Sequence, residues 1–259
     1  MRLSCSATSC PTLRLPEALF FVKQAGLDAV ELFRDRTEST PVHPDFSVRT
    51  VREHLQASGV RLAGLAVRSL TGMKADSNEQ NLDYNIRQVS WDIHLGRALG
   101  LKHANLSGGA RTDENLQDLV AGVNKLLEAL PPDFELNLVN SPENRLQGLA
   151  DFQAVMPQVG PRTKVLLDAG GLLAAGEDVM AFAEAFADRI GMVRLRDQKG
   201  RKQAAFGQGD LPLKDLLKVL KKAGFKGDLV LALEPAEGED ALPAVKAARE
   251  YVEKTLVDL

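Results

Sequence analysis

Cysteine is close to absent. The chain of 259 residues carries two, Cys5 and Cys10, and no framework spacing surrounds them, which excludes a small disulfide-stapled domain. Reduced thiols are the expected state, although both fall near the end of a first strand, where a bond between neighbours stays open. Aromatic residues make up only 5%, and no apolar run approaches the roughly 20 residues of a membrane-crossing helix. The opening MRLSCSATSC lacks the apolar segment of a secretory leader. These absences set the expectation of a cytoplasmic protein with no membrane partner. Excess positive charge is lacking too: 32 Lys and Arg stand against 35 Asp and Glu, a formal net charge of −3. Binding to nucleic-acid phosphates draws on clustered basic residues. The run Lys199-Gly-Arg-Lys202 is too short to provide them and reads as a solvated loop, so no nucleic-acid partner is expected. Nor does a Gly-rich phosphate loop follow the first strand; Ser6 to Thr12 offers Ser, Cys, Pro and Thr instead.

What is present is a regular alternation of short apolar strands and longer amphipathic helices. Strands are predicted near 2–7, 29–33, 61–67, 103–107, 134–139, 164–167, 192–195 and 229–233. Helices are predicted near 16–25, 48–57, 83–99, 112–130, 149–156, 178–187, 213–223 and 242–256. Gly26, Gly59 and Gly100 supply helix stops, and Pro131-Pro132 break the fourth helix. Strands apolar throughout, alternating with helices, imply a parallel sheet covered on both sides. Eight such units without a compositional break, in a length close to the roughly 250 residues typical of the fold, predict a single α/β domain over 1–259, a (β/α)₈ TIM barrel.

In such a barrel the C-terminal strand ends share one mouth, where residues distant in sequence converge. The candidates are Glu31, Arg68, Ser107, Asn140, Asp168, Arg194, Asp197 and Glu234. Acids that end buried runs such as Lys164-Val-Leu-Leu-Asp168 carry a desolvation cost unless a partner charge, metal or ligand meets them. Helix capping or a structural ion-pair network would also account for them. The apolar stripes, including Phe20-Phe21 and Leu216-Leu217-Val219-Leu220, read as core, and Trp91 is expected between helix and barrel.

Several stretches resemble the xylose-isomerase-like TIM barrel superfamily, which includes sugar isomerases and epimerases and AP endonucleases. They are Gly26-Leu-Asp-Ala-Val-Glu-Leu32, Leu167-Asp-Ala-Gly170, Arg194-Leu-Arg-Asp197, Phe206-Gly-Gln-Gly-Asp210, Ala223-Gly-Phe-Lys-Gly227 and Leu233-Glu234, in an order that spans the chain. In the isomerase and epimerase branch a divalent metal (Mg, Mn or Zn) is held by Glu, Asp, His and Glu from strands 5 to 8, and the two glutamates move the substrate proton. The resemblance places those roles at Val139, Asp168, Arg194 and Glu234, so only Asp168 and Glu234 keep the matching chemistry. Frequent further histidines correspond to Gly171 and Ser107. Of the histidines present, His54 and His94 fall in helices, His103 opens the fourth strand at the far end, and His43 sits in the loop after the second strand.

The ligand set is therefore incomplete and no cofactor is expected. A guanidinium at Arg194 would repel the ion and supply its positive charge instead, and it suits a carboxylate or phosphate. The resemblance implies an isomerase- or epimerase-like enzyme acting on a sugar or sugar acid by proton transfer. Glu234 would be the catalytic base, with Arg194, Asp168, Asn140, Glu31, Arg68, Ser107 and Asp197 holding substrate. The alternative is a non-catalytic sugar- or anion-binding barrel; AP endonuclease activity is disfavoured. The expected partner is a small sugar-like or anionic molecule, and homo-oligomer formation is compatible with the sequence.

Overall fold

The computed structural model describes residues 1–34, 47–71, 81–236 and 238–259; His43 lies outside them. Eight strands form the barrel: β1 (Arg2–Ser6), β2 (Ala29–Phe33), β3 (Arg61–Ala66), β4 (His103–Ser107), β5 (Glu135–Val139), β6 (Thr163–Asp168), β7 (Ile190–Leu195) and β8 (Asp228–Leu231). They follow one another in chain order, all parallel, and β8 pairs back onto β1 through Arg2↔Asp228 to Cys5↔Leu231. Around them lie α1 (Leu15–Gln24), α2 (Val48–Ser58), α3 (Leu82–Ala98), α4 (Asp113–Ala129), α5 (Leu149–Val155), α6 (Ala169–Ala175), α7 (Val179–Ala185), α8 (Leu213–Lys222) and α9 (Leu242–Val257). Short polar side chains open several helices by accepting a backbone N–H: Ser47 from Thr50, Asn81 from Tyr84, Thr112 from Asn115 and Asp178 from Ala181. Gly59 closes α2 at φ 66°, a left-handed conformation that costs glycine nothing.

Strand alternation divides the apolar residues between two layers. The larger core lies between strands and helices and includes Leu32, Leu65, Leu106, Leu138 and Leu167. A separate small cluster of Ala29, Ala63, Val139, Leu166, Met192 and Val230 fills part of the barrel interior. Polar residues take up other interior positions: Ser4, Ser6, Glu31, Asn105 and Asn137 are all buried. The barrel is thus closed outside by hydrophobic packing and threaded inside by hydrogen-bonding groups.

Three sequence expectations change. Residues 169–175, where no helix is predicted, form α6 despite the weak helical propensity of Gly170-Gly171, started by Asp168 accepting from the Gly171 N–H. Strand β8 ends at Leu231, so Glu234 sits beyond it in a loop. Trp91 and Phe20 are surface residues, 53% and 63% exposed, because the helix faces that carry them turn away from the barrel while Phe21 and Val89 turn inward. Cys5 and Cys10 are free and buried, and burial pushes the Cys10 thiol up to about 12 and that of Cys5 higher still.

Phe182 of α7 is fully buried between Phe152, edge-on at 5.0 Å, and Phe186 at 5.2 Å. Phe182→Ala opens a cavity that neighbouring rings fill only partly and is expected to cost about 3–5 kcal/mol, read as a lower urea midpoint at an unchanged slope.

Candidate active site at the barrel mouth

Arg194, on β7, reaches across the interior to Glu31 on β2. Its Nε donates to Oε2 at 2.8 Å and its Nη2 to Oε1 at 2.6 Å, a bidentate pair. Glu31 is fully buried. Its Oε1 also accepts from Asn105 Nδ2 at 2.7 Å, and Asn105 Oδ1 accepts from Asn137 Nδ2 at 2.8 Å. The guanidinium carbon lies 5.2 Å from the centre of the Phe33 ring. Burial alone would lower the pKa of Arg194, but the Glu31 charge and hydrogen bonds, with help from Asp168 and Glu234, outweigh it and push the pKa further up. Among the contacts described, Nη1 has no partner within hydrogen-bonding length; Asp168 Oδ2 is 3.8 Å away.

Asp168 ends β6 and uses Oδ1 on the Gly171 N–H at 2.8 Å. Asn140 holds it from the neighbouring strand: its Nδ2 donates to the Asp168 carbonyl at 2.9 Å, and its Oδ1 accepts the Asp168 N–H at 2.7 Å. The Asn140 side chain thereby extends the β5–β6 ladder by one rung. Oδ2 of Asp168 is left facing Nη1 of Arg194.

Glu234 is 63% exposed at its side chain and ion-pairs with Arg196, whose own side chain is 12% exposed. Gln203 accepts the Glu234 N–H through Oε1 at 2.8 Å. Gln203 belongs to a two-stranded hairpin, Gln198–Lys199 with Lys202–Gln203, that follows β7. Asp197 organises the loop behind it, accepting the N–H groups of Gly207 at 2.8 Å, Gly209 at 3.1 Å and Leu211 at 3.0 Å. Arg68 grips Asp92 of α3 with Nε at 2.7 Å and Nη2 at 3.1 Å, and Arg34 Nε reaches the same carboxylate at 2.7 Å. Ser107 lends its carbonyl to the Ser69 hydroxyl at 3.3 Å.

Of the sequence candidates, Glu31, Arg194 and Asp168 meet directly, and Glu234 is near enough to bias Arg194. Asn140 and Asp197 spend their polar atoms on backbone, and Arg68 on Asp92 and Gln88. Sequence reasoning passed over Arg196, Asn105 and Asn137. Alternation could have found the first two, since Arg196 lies two residues beyond Arg194 and Asn105 two before Ser107. It also passed over Asp151, which accepts Arg111 Nη1 at 2.8 Å and Nη2 at 3.0 Å. No group of three metal-ligating side chains occurs among the described residues. A guanidinium 3.8 Å from Asp168 fits a divalent cation poorly, because the two positive charges would compete for one carboxylate.

The profile of the xylose isomerase-like TIM barrel family matches residues 19–255. The chain belongs to that family. A Streptomyces coelicolor protein provisionally named hydroxypyruvate isomerase is 30% identical over 96% of this chain and 97% of its own length. An Escherichia coli protein provisionally named L-ribulose-5-phosphate 3-epimerase is 22% identical over 93% and 91%. Among solved members of this fold, an L-ribulose 3-epimerase superposes with a TM-score of 0.80 at 17% identity, covering 99% of this chain and 95% of that one. The IOLI protein, solved with a bound zinc atom, gives 0.78 at 18% identity over 100% and 97%.

Removing Arg194 alone strands a buried carboxylate. Arg194→Met is expected to lower stability by about 3–5 kcal/mol, and adding Glu31→Gln to restore most of the loss. A cycle of urea unfolding free energies for the two single variants and the double variant checks this; additive losses would contradict it.

Proposed function

We propose that this family member is an isomerase- or epimerase-like enzyme that moves a proton next to the carbonyl of a small sugar or sugar acid, with the Arg194 guanidinium standing where relatives place a divalent metal. The observation that carries the reading is the Arg194–Glu31–Asp168 arrangement at the mouth. It is supported by a relative named as an isomerase that aligns over 97% of its length.

Nη1 of Arg194 and Oδ2 of Asp168, 3.8 Å apart, form a donor and an acceptor with room for a shared substrate oxygen. A sugar hydroxyl bridging them would accept from the guanidinium and donate to the carboxylate. Glu234, in the loop beyond β8 and oriented by Arg196 and by Gln203 on its backbone, is the base. It takes the proton from the carbon beside the carbonyl, leaving an enediolate. The two nearby guanidiniums balance the charge on its oxygens, and Glu234 returns the proton to the adjacent carbon. The hydroxyl proton passes from one enediolate oxygen to the other through Asp168 Oδ2, so carbonyl and hydroxyl exchange places with no net gain or loss of atoms.

By the family resemblance, Val139 takes the position of the second proton-moving glutamate of the isomerase and epimerase branch. Inverting one carbon needs a base on each face, whereas a single carboxylate can shift a proton between neighbouring carbons on one face. The residues therefore favour isomerisation over epimerisation. A second reading, a binding barrel without turnover, draws on Glu31 and Arg194 being engaged with each other in a bidentate pair.

Proton NMR in D₂O, with hydroxypyruvate and with free and phosphorylated ketoses as trial substrates, separates the two. The enzyme reading expects an isomerised product carrying solvent deuterium, with Glu234→Gln slowing turnover at least ~100-fold while ligand still raises the melting temperature. A ligand that stabilises the protein without product or exchange supports the binding reading, and an undiminished Glu234→Gln removes Glu234 as the base.

A further inference from the structure

The N-terminal end of the barrel, remote from the mouth, holds a cavity of about 800 Å³, a volume in the range of small-molecule sites. Arg2 opens β1, Arg61 opens β3, His103 opens β4 and Asp228 opens β8, so strand order alone gathers them at this end. Arg52 of α2 and Lys102 complete the polar lining, while Leu55 and Leu99 give an apolar wall. The lining therefore sets four permanent cations against one carboxylate.

That carboxylate is shared. Arg2 Nη2 donates to Asp228 Oδ2 at 3.1 Å, and Arg61 Nη1 donates to the same oxygen at 3.2 Å. Two guanidiniums with five N–H groups each cannot satisfy themselves on one nearly buried carboxylate, and their side chains remain 60% and 41% exposed. Arg52 is anchored on the Ala98 carbonyl at the end of α3, which holds its charge beside the cavity. Lys102 pairs with an exposed carboxylate, Asp133, at 2.9 Å. His103 also lines the cavity, where burial favours its uncharged ring beside the Ala63 backbone.

We propose that this cavity is a second ligand site, specific for a small oxyanion bearing two or more negative charges, such as a phosphate ester or a polycarboxylate. Arg2 and Arg61 supply the N–H groups that Asp228 leaves unused, Arg52 and Lys102 flank them, and the leucine wall covers a less polar portion of the ligand. The site is independent of the chemistry proposed for the mouth.

Isothermal titration of the intact protein with inorganic pyrophosphate, at ionic strength held constant with KCl, tests it. Binding is expected with the wild type and to weaken about tenfold or more in Arg52→Ala/Lys102→Ala, one charge-assisted contact being worth about a factor of ten. Lys199→Ala/Arg201→Ala/Lys202→Ala, which strips the basic hairpin at the mouth, is expected to leave the affinity unchanged. Should the double variant not fold, Lys102→Glu, at an exposed position, replaces it. In wild-type protein the His103 ring protons are expected to shift on saturation in NMR spectra. Absence of heat at millimolar pyrophosphate, a still His103 signal, or affinity lost with the hairpin and kept in the double variant would each overturn the proposal.

Discussion

A buried ion pair across the barrel is the constraint to which the rest of the mouth conforms. Glu31 has no exposure at all, and an isolated carboxylate there would be several kcal/mol out of balance. Its two oxygens are met by two guanidinium nitrogens and an asparagine amide, which makes burial tolerable and fixes where Arg194 must lie. A hydrophobic filling of similar volume could be as stable. What the pair supplies is a positive charge held in one place at the C-terminal strand ends, with one nitrogen still facing Asp168.

From that placement the division of labour follows. Asp168 caps α6 with one oxygen and keeps the other for the mouth, and Asn140 holds its backbone so that this direction is fixed. Asp197, by gathering three N–H groups, shapes the loop that leads from β7 toward α8. The hairpin this loop supports meets the backbone of Glu234 through Gln203. Residues that touch no substrate thus set the positions of those proposed to do so.

Much of this was legible in the sequence. Eight alternating units gave the barrel, and the barrel gave the shared mouth, because parallel strands must end on the same side. The family resemblance led to Arg194 and Asp168, which the fold brings within 3.8 Å of each other. What stayed hidden depended on geometry between strands. Nothing in Val139-Asn140 reveals that the amide copies a ladder rung instead of facing a ligand. Nothing in Arg68 reveals that Asp92, 24 residues on, claims it. The short helix after β6 was masked by two glycines whose weak propensity is overridden by the Asp168 cap. Trp91 misled because burial follows the helix face and not residue type.

The most direct test of the central claim, that Arg194 takes the place of a divalent metal, is the metal content of protein purified without chelators and then dialysed against Mg²⁺, Mn²⁺ and Zn²⁺ in turn. The account predicts far less than one ion per chain and, in an anomalous-scattering map, the Arg194 guanidinium against Glu31 with no metal peak at the mouth. Close to one ion per chain, with a peak between Asp168 and Glu234 and Arg194 swung aside, would contradict it.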